Sequence, residues 1–333
     1  SIVFSTSTQP AFEKRPEFPG IANIREIVSS PENLYRDLRR TEYHVETESL
    51  DDDELTGRIH SHDQVLLVLN TVDRAQAVYK SVKSRQSDGT YHLSGGMCGA
   101  HKRDVMGEIK NRLSNSRPCR LVSTQCVEAG VDLDFPVVYR AVGPMDSIAQ
   151  AAGRCNREGN QDRGDVFIIE PEDQDVPPGA YRTGTDVARK FLQDDPDWHS
   201  PDLFRKYFED LYSLTNLDKS SSEGKPIQKM RTDWQFEKVG KTFRLIEQIT
   251  VPVVVPYGRA EELLEEHDPR FLDRAFYRDV QPYIVNLSKY KLEKAMENGL
   301  CAEYSDSLYK WTDPSAYDEG CGVRFEERGV LIG

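Results

Sequence analysis

A chain of 333 residues, 38% hydrophobic and 30% charged, is long enough for two domains with cores of their own and too apolar for a disordered polymer. Its longest apolar runs, residues 65–69 and 249–255, fall far short of the roughly 20 residues that cross a bilayer. The opening Ser1-Ile2-Val3-Phe4-Ser5 has neither the basic start nor the long apolar run of a secretory signal, so a cytoplasmic protein without a membrane partner is expected.

The net charge of −13 favours solubility and gives no global sign of a nucleic-acid binder, which makes local charge the informative quantity. Six cysteines stand without any C-x-x-C pair, arguing against a zinc ribbon or a disulfide framework, and no metal site is expected.

Residues 1–20 precede a connector, 21–59, that ends in the acidic stretch Leu50-Asp51-Asp52-Asp53-Glu54. From Gln64 the pattern becomes regular. Val65-Leu66-Leu67-Val68-Leu69 is an all-apolar run of the kind found in buried parallel strands, and Val72, Ala75, Val78, Tyr79 and Val82 follow at helical spacing behind Thr71 as N-cap. Further strands are predicted at 91–93, 120–123, 137–141 and 166–169, with helices at 103–113 and 147–155. Strands alternating with helices predict an α/β fold, a parallel sheet with flanking helices over 60–195. Proline and serine-rich breaks mark a linker over 196–240, including Ser220-Ser221-Ser222-Glu223-Gly224. A smaller α+β accessory domain is expected over 241–333, with two strands across 242–256 and a helix at 289–298.

The sharpest local signal is Gln150-Ala151-Ala152-Gly153-Arg154-Cys155-Asn156-Arg157. Arginines three apart share one face if the segment is helical, and two guanidinium groups so held can grip phosphate oxygens and stabilise charge developing on a transferred phosphoryl group. Gly153 permits close backbone approach. Two helical arginines alone are more often a surface ion-pair feature, but upstream stands Ser123-Thr124-Gln125-Cys126-Val127-Glu128-Ala129-Gly130-Val131-Asp132-Leu133-Asp134, directly after a predicted strand. Hydroxyls and amides in such a turn suit phosphate contact, and Gly130 and Asp132 suit a tight loop facing a nucleotide.

These two segments resemble motifs V and VI of superfamily 2 helicases, and the wording from Ser123 to Gly159 resembles the helicase-nuclease of type I CRISPR systems. Phe4 to Phe12 is similar to motif III, which implies that residues 1–20 are the trailing end of a first RecA-like lobe, and Leu67 to Val72 is similar to motif IV, which implies a second RecA-like lobe over 60–195. The resemblance implies an ATP-dependent single-stranded-DNA helicase in antiviral defence. Arg154, Arg157 and Gln150 act on ATP, and Gly130, Asp132 and Gly153 face the nucleotide. Asn70, Thr71, Ser94, Arg103 and Thr124 track one DNA strand. It also implies a CRISPR surveillance complex as partner, and ATP with Mg2+ bound mostly by a first lobe. Relatives carry an HD nuclease, a P-loop and an acidic Mg-binding motif ahead of motif III. This chain therefore reads as a piece needing an N-terminal half, and as inactive alone. The rival readings are a non-catalytic module that binds DNA or the surveillance complex, and a helicase outside CRISPR systems.

Several look-alikes carry less. Gly240-Lys241-Thr242 copies the end of a P-loop, but Gln235 stands where its first glycine belongs. The doublets His62-Asp63 and His267-Asp268 mimic an HD site without its further ligands. Six basic residues between His101 and Arg120 (Lys102, Arg103, Lys110, Arg112, Arg117, Arg120) form a local basic island, an electrostatic reason for strand tracking. Trp234 and Trp311 are possible stacking platforms, although core packing is the commoner role of tryptophan.

Overall fold

The computed structural model describes residues 27–173, 175–214, 227–243 and 250–324, with isolated positions before residue 27. Most of the stretch similar to motif III, and Ser220 to Gly224, lie outside the described residues. The strands are β1 (Thr41–Leu50), β2 (Gln64–Val68), β3 (Thr90–Leu93), β4 (Cys119–Ser123), β5 (Val137–Ala141), β6 (Gly164–Pro171), β7 (Thr250–Val254), β8 (Ile284–Ser288), β9 (Cys301–Ser305), β10 (Leu308–Trp311), β11 (Tyr317–Asp318) and β12 (Gly322–Val323). The helices are α1 (Pro31–Asp37), α2 (Asp52–His60), α3 (Val72–Arg85), α4 (Gly99–Ser114), α5 (Met145–Ala152), α6 (Ala180–Leu192), α7 (Pro201–Leu214), α8 (Ile227–Thr232), α9 (Phe236–Thr242), α10 (Ala260–Glu265), α11 (Arg274–Val280) and α12 (Lys289–Glu297). No described helix is long and apolar enough to cross a membrane.

The chain divides into two units. One comprises residues 1–50 and 134–247, the other 51–133 and 248–333. In the first, β6 pairs in parallel with β1 on one side, Thr41 opposite Gly164, and with β5 on the other, Val137 opposite Asp165. Val138, Ala141, Val166, Ile168 and Ile169 are sealed from water, and Ile168 packs in one cluster with Ile148 of α5, Val187 of α6 and Tyr207 of α7, a buried side chain of its size contributing about 1.5–3 kcal/mol. Leu203, Phe204 and Tyr207 of α7, within the stretch read as linker, are part of this core. Strand β1 lies within the stretch read as connector, and its Tyr43 stacks on Trp198 with ring centroids 4.6 Å apart.

In the second unit, β4 pairs in parallel with β2 and β3. The run Val65 to Leu69 is fully buried, as its lack of a polar face requires, and Thr71 caps α3 by accepting the amide of Arg74. A smaller mixed sheet, ordered β8-β7-β10-β9, is backed by α12 and buries Val253, Val285, Leu287 and Trp311. The expected parallel α/β fold and smaller α+β portion are thus both present. Over 242–256, however, two strands were expected. Thr242 closes helix α9, β7 is the strand described there, and residues 244–249 lie outside the described residues.

Candidate functional site

In the first unit α5 carries Gln150 and stops at Ala152, with Gly153 following at φ −63°. Arg154 and Arg157 therefore do not share a helical face, contrary to the reading from their spacing. The physical reason is a competing bridge. Arg154 O accepts from Phe135 N at 2.9 Å, and Asn156 N donates to Phe135 O at 2.9 Å, which pulls the chain off the helix and beside the segment before β5. Asn156 takes a positive φ of 46°, a conformation asparagine tolerates, and its side-chain amide donates to Arg40 O at 3.0 Å and Gln161 O at 2.8 Å.

Asp134 fixes the rest of the loop. Its carboxylate accepts from the amides of Arg157 at 2.6 Å and Glu158 at 3.4 Å, and from Asn160 Nδ2 at 3.3 Å. The Arg40 guanidinium donates to Arg157 O. Cys155 lies beneath, its thiol pushed up to about 12 by burial and so neutral at any physiological pH. A Cβ on Gly164 would stand 2.6 Å from that sulfur, so only glycine lets β6 pass so close. Arg154 is 8% exposed and Arg157 exposed, one guanidinium enclosed and one facing water, on a backbone fixed on both sides. Gly153 is exposed with an ordinary backbone, so its lack of a side chain matters only to what approaches from outside.

In the second unit the carboxyl ends of the three parallel strands are tied together. Leu69 N donates to Ser123 O at 2.8 Å, Thr124 N to Leu93 O at 3.1 Å, and Gln125 Nε2 to Asn70 O at 2.9 Å. Asn70, Thr71 and Thr124 stand at this edge, where open α/β sheets bind ligands. Gly130 turns with φ +72° in an exposed loop that also carries exposed Asp132. Ser94 does not fit the role expected of it. It is fully buried, and its hydroxyl engages His92 Nε2 at 2.9 Å and accepts from Gly96 N at 3.2 Å, so it holds the β3–α4 turn. The basic island is likewise reduced. Arg112 pairs with Asp88 and Arg120 is 4% exposed, which leaves exposed Arg103 on the first turn of α4 with Lys102, Lys110 and Arg117.

The look-alikes resolve similarly. Gly240-Lys241-Thr242 ends α9 instead of preceding a helix, and Lys241 pairs with Glu237 at 2.7 Å. Asp268 pairs with Arg270, and His267 Nδ1 lies 2.9 Å from Leu263 O. Among the described residues no group of three His, Cys, Asp or Glu is gathered to hold a metal ion.

Sequence reasoning missed four structural contributors: Arg40, the anchoring role of Asp134, Gly164 and Arg140. The last is fully buried, donating to Ala141 O at 2.7 Å, Ser147 Oγ at 2.8 Å and Tyr181 Oη at 2.8 Å. A lone arginine inside the apolar run Val137 to Ala141 was the available signal. The C-terminal hook was also missed. Val323 N donates to Gly96 O at 2.9 Å, Gln76 Nε2 donates to Cys321 O at 2.9 Å, and Tyr317 Oη meets His101 Nδ1 at 2.9 Å. Within the second unit it fastens residues 317–323 to α3, the turn after β3 and α4.

Parallel strands with covering helices and loops at the strand carboxyl ends make a RecA-like α/β fold. Residues 61–160 match the family model described as CRISPR-associated nuclease/helicase Cas3, C-terminal. A Haloferax volcanii CRISPR-associated nuclease/helicase Cas3 is 47% identical over 76 residues, 22% of this chain and 8% of that protein. The solved T. fusca Cas3-ATP structure superposes with a TM-score of 0.53 at 18% identity, covering 86% of this chain and 41% of that one. A structure described as a CRISPR RNA-guided surveillance complex, pre-nicking, contains a chain matched with a TM-score of 0.50 at 17% identity, over 86% of this chain and 44% of that one. Residues 61–160 are thus similar to the C-terminal part of CRISPR-associated nuclease/helicase Cas3, and the chain spans less than half the length of the relatives it matches.

Proposed function

We propose that residues 60–195 act as the second motor lobe of an ATP-dependent helicase that moves along single-stranded DNA in CRISPR defence, with residues 241–333 as its accessory module. The observation that carries this is the loop Arg154 to Gly159, whose backbone is held without a helix by Asp134, Arg40 and the Phe135–Cys155 bridge. Preorganised cations of this kind act on a phosphoryl group without reorganising as charge develops. The residues of this loop fit a polyphosphate: Arg157 is exposed and Arg154 enclosed, while Gly153 leaves room for close approach. ATP supplies the phosphoryl group, and Mg2+ falls to acidic residues of a partner lobe. Arg154 and Arg157 bind and orient phosphate oxygens, Gln150 lies one turn back on α5, and Asp132 stands in the exposed turn with Gly130. Thr71 and Arg103 grip the DNA backbone, and Asn70 and Thr124, 4% and 5% exposed, shape the strand edge on which it lies. Ser94 acts only through the turn that it holds.

The family match and the Cas3 fold support this reading, and the likeness to a surveillance-complex component supports that complex as partner. Arg154→Ala in the intact protein tests it: DNA-stimulated ATP turnover falls by about 10³-fold, the scale of an arginine finger. Unchanged turnover would remove the arginine-finger assignment, whereas a chain that binds DNA or the surveillance complex and gives no turnover with a P-loop-bearing lobe favours the non-catalytic module.

A further inference from the structure

Helix α8 ends in a Schellman motif. Trp234 N donates to Arg231 O at 3.1 Å and Gln235 N to Met230 O at 2.9 Å, with Trp234 in the left-handed position at φ +60°. That position favours glycine or asparagine, because a Cβ there costs roughly 1–2 kcal/mol. A tryptophan in this place, 80% exposed, gains no burial to offset the cost. Phe236, 57% exposed, stands beside it with ring centroids 5.7 Å apart at 80°. Two aromatic faces are thus held out to solvent by a strained turn, whereas Trp198 and Trp311 are 6% and 5% exposed and belong to cores.

The charge around these rings is opposite to that of the chain. Lys229, Arg231, Lys238 and Lys241 are exposed on α8 and α9, against the carboxylates Asp233 and Glu237, and Glu237 is engaged with Lys241. In a protein of net charge −13 this is a basic, aromatic-bearing knuckle. Exposed aromatics interleaved with cations are the chemistry of single-strand binding, bases stacking on the rings while cations meet phosphates. A protein partner's apolar surface would have no use for the four cations.

We propose that the α8–α9 knuckle is a base-stacking platform for single-stranded nucleic acid, with Trp234 as its principal ring, Phe236 as its second, and Lys229 and Arg231 meeting the phosphates. The proposal rests on the helicase reading for the presence of a single strand, but not on the arginine loop or on ATP.

The test uses oligodeoxythymidine titrated into the chain without nucleotide, read by fluorescence anisotropy of a labelled oligonucleotide and by quenching of Trp234. Wild type binds with quenching, and Trp234→Ala loses about tenfold in affinity, which Trp234→Phe largely restores. Trp234→Gly is the decisive variant: it relieves the positive φ, so thermal stability is held or raised while affinity falls as in the alanine variant. Arg154→Ala serves as the control and separates this proposal from the motor reading. Unchanged oligonucleotide affinity of that variant alone, with loss of ATP turnover when it is mixed with a P-loop-bearing lobe, is expected of both. Equal affinity of wild type and Trp234→Gly overturns the platform and leaves the motor reading standing. A loss of stability in Trp234→Gly with affinity unchanged shows the indole to be a protein-packing residue and also overturns it.

Discussion

The backbone amide of Arg157 donates to Asp134 Oδ1 at 2.6 Å, so a residue just before β5 fixes the loop that carries Arg154 and Arg157. Asp134→Ala removes the acceptor for two amides and one side-chain amide. Stability falls by about 1 kcal/mol, as expected for exposed hydrogen bonds. DNA-stimulated ATP turnover of the intact enzyme falls by about tenfold to a hundredfold because the guanidinium groups lose their fixed position. Steady-state ATPase assays beside thermal unfolding check this. Full turnover with a disordered loop would show that Asp134 is not a positioning residue.

Gly164 faces the same loop from beneath. A Cβ there stands 2.6 Å from Cys155 Sγ and 2.9 Å from Pro136 O. Since a backbone carbonyl cannot retreat as a side chain can, Gly164→Ala costs about 1–3 kcal/mol by overpacking. Chemical denaturation measures it, and Cys155→Ala in the same chain recovers only the part owed to sulfur.

These residues show what a sequence discloses. The runs at 65–69 and 137–141 are apolar throughout, so their strands follow directly, and Thr71 is both a capping residue type and the observed cap. β1 escapes because Thr-Glu-Tyr-His-Val-Glu-Thr-Glu-Ser-Leu lies at the end of its unit's strand order, with polar residues that water satisfies. The early stop of α5 escapes because the competing partner, Phe135, lies outside the local window. The pair Arg154 and Arg157 stands out in the sequence, but the loop conformation that carries it does not, because Arg40 and Asp134 reach that loop from far along the chain. Ser94 was misread because no local pattern reports that His92 and Gly96 claim its hydroxyl.

Acid should weaken the second unit. Burial lowers His92 to about 3 and lowers His101 as well. A histidine depressed in the folded state gives stability that is whole above the unfolded value near 6.5 and lost as pH falls below it, because the unfolded chain takes up the proton first. Between pH 7.5 and 5, His92 alone accounts for about 2 kcal/mol, since each pH unit below 6.5 is worth 1.36 kcal/mol. Urea unfolding at both pH values, with His92→Gln compared against wild type, isolates it. An identical pH dependence in the variant would contradict the assignment.

The hook that ends the described chain depends on glycine. Gly322 has φ +81°, and a Cβ there would stand 2.1 Å from Gly96 O. Gly322→Ala therefore adds backbone strain to a clash and costs about 2–4 kcal/mol locally. Hydrogen exchange at Val323, whose amide donates to Gly96 O, should accelerate while β2 stays protected. Unchanged protection would mean that the hook tolerates the methyl group.

The most direct measurement of the central claim is ATP turnover of this chain mixed with a separately made lobe bearing a P-loop, with and without single-stranded DNA, for wild type and Arg154→Ala. The half-site reading predicts turnover only in the wild-type mixture with DNA, and a loss of about 10³-fold in the variant. Equal turnover by the two chains, or silence in a mixture shown to be folded and associated, would contradict it.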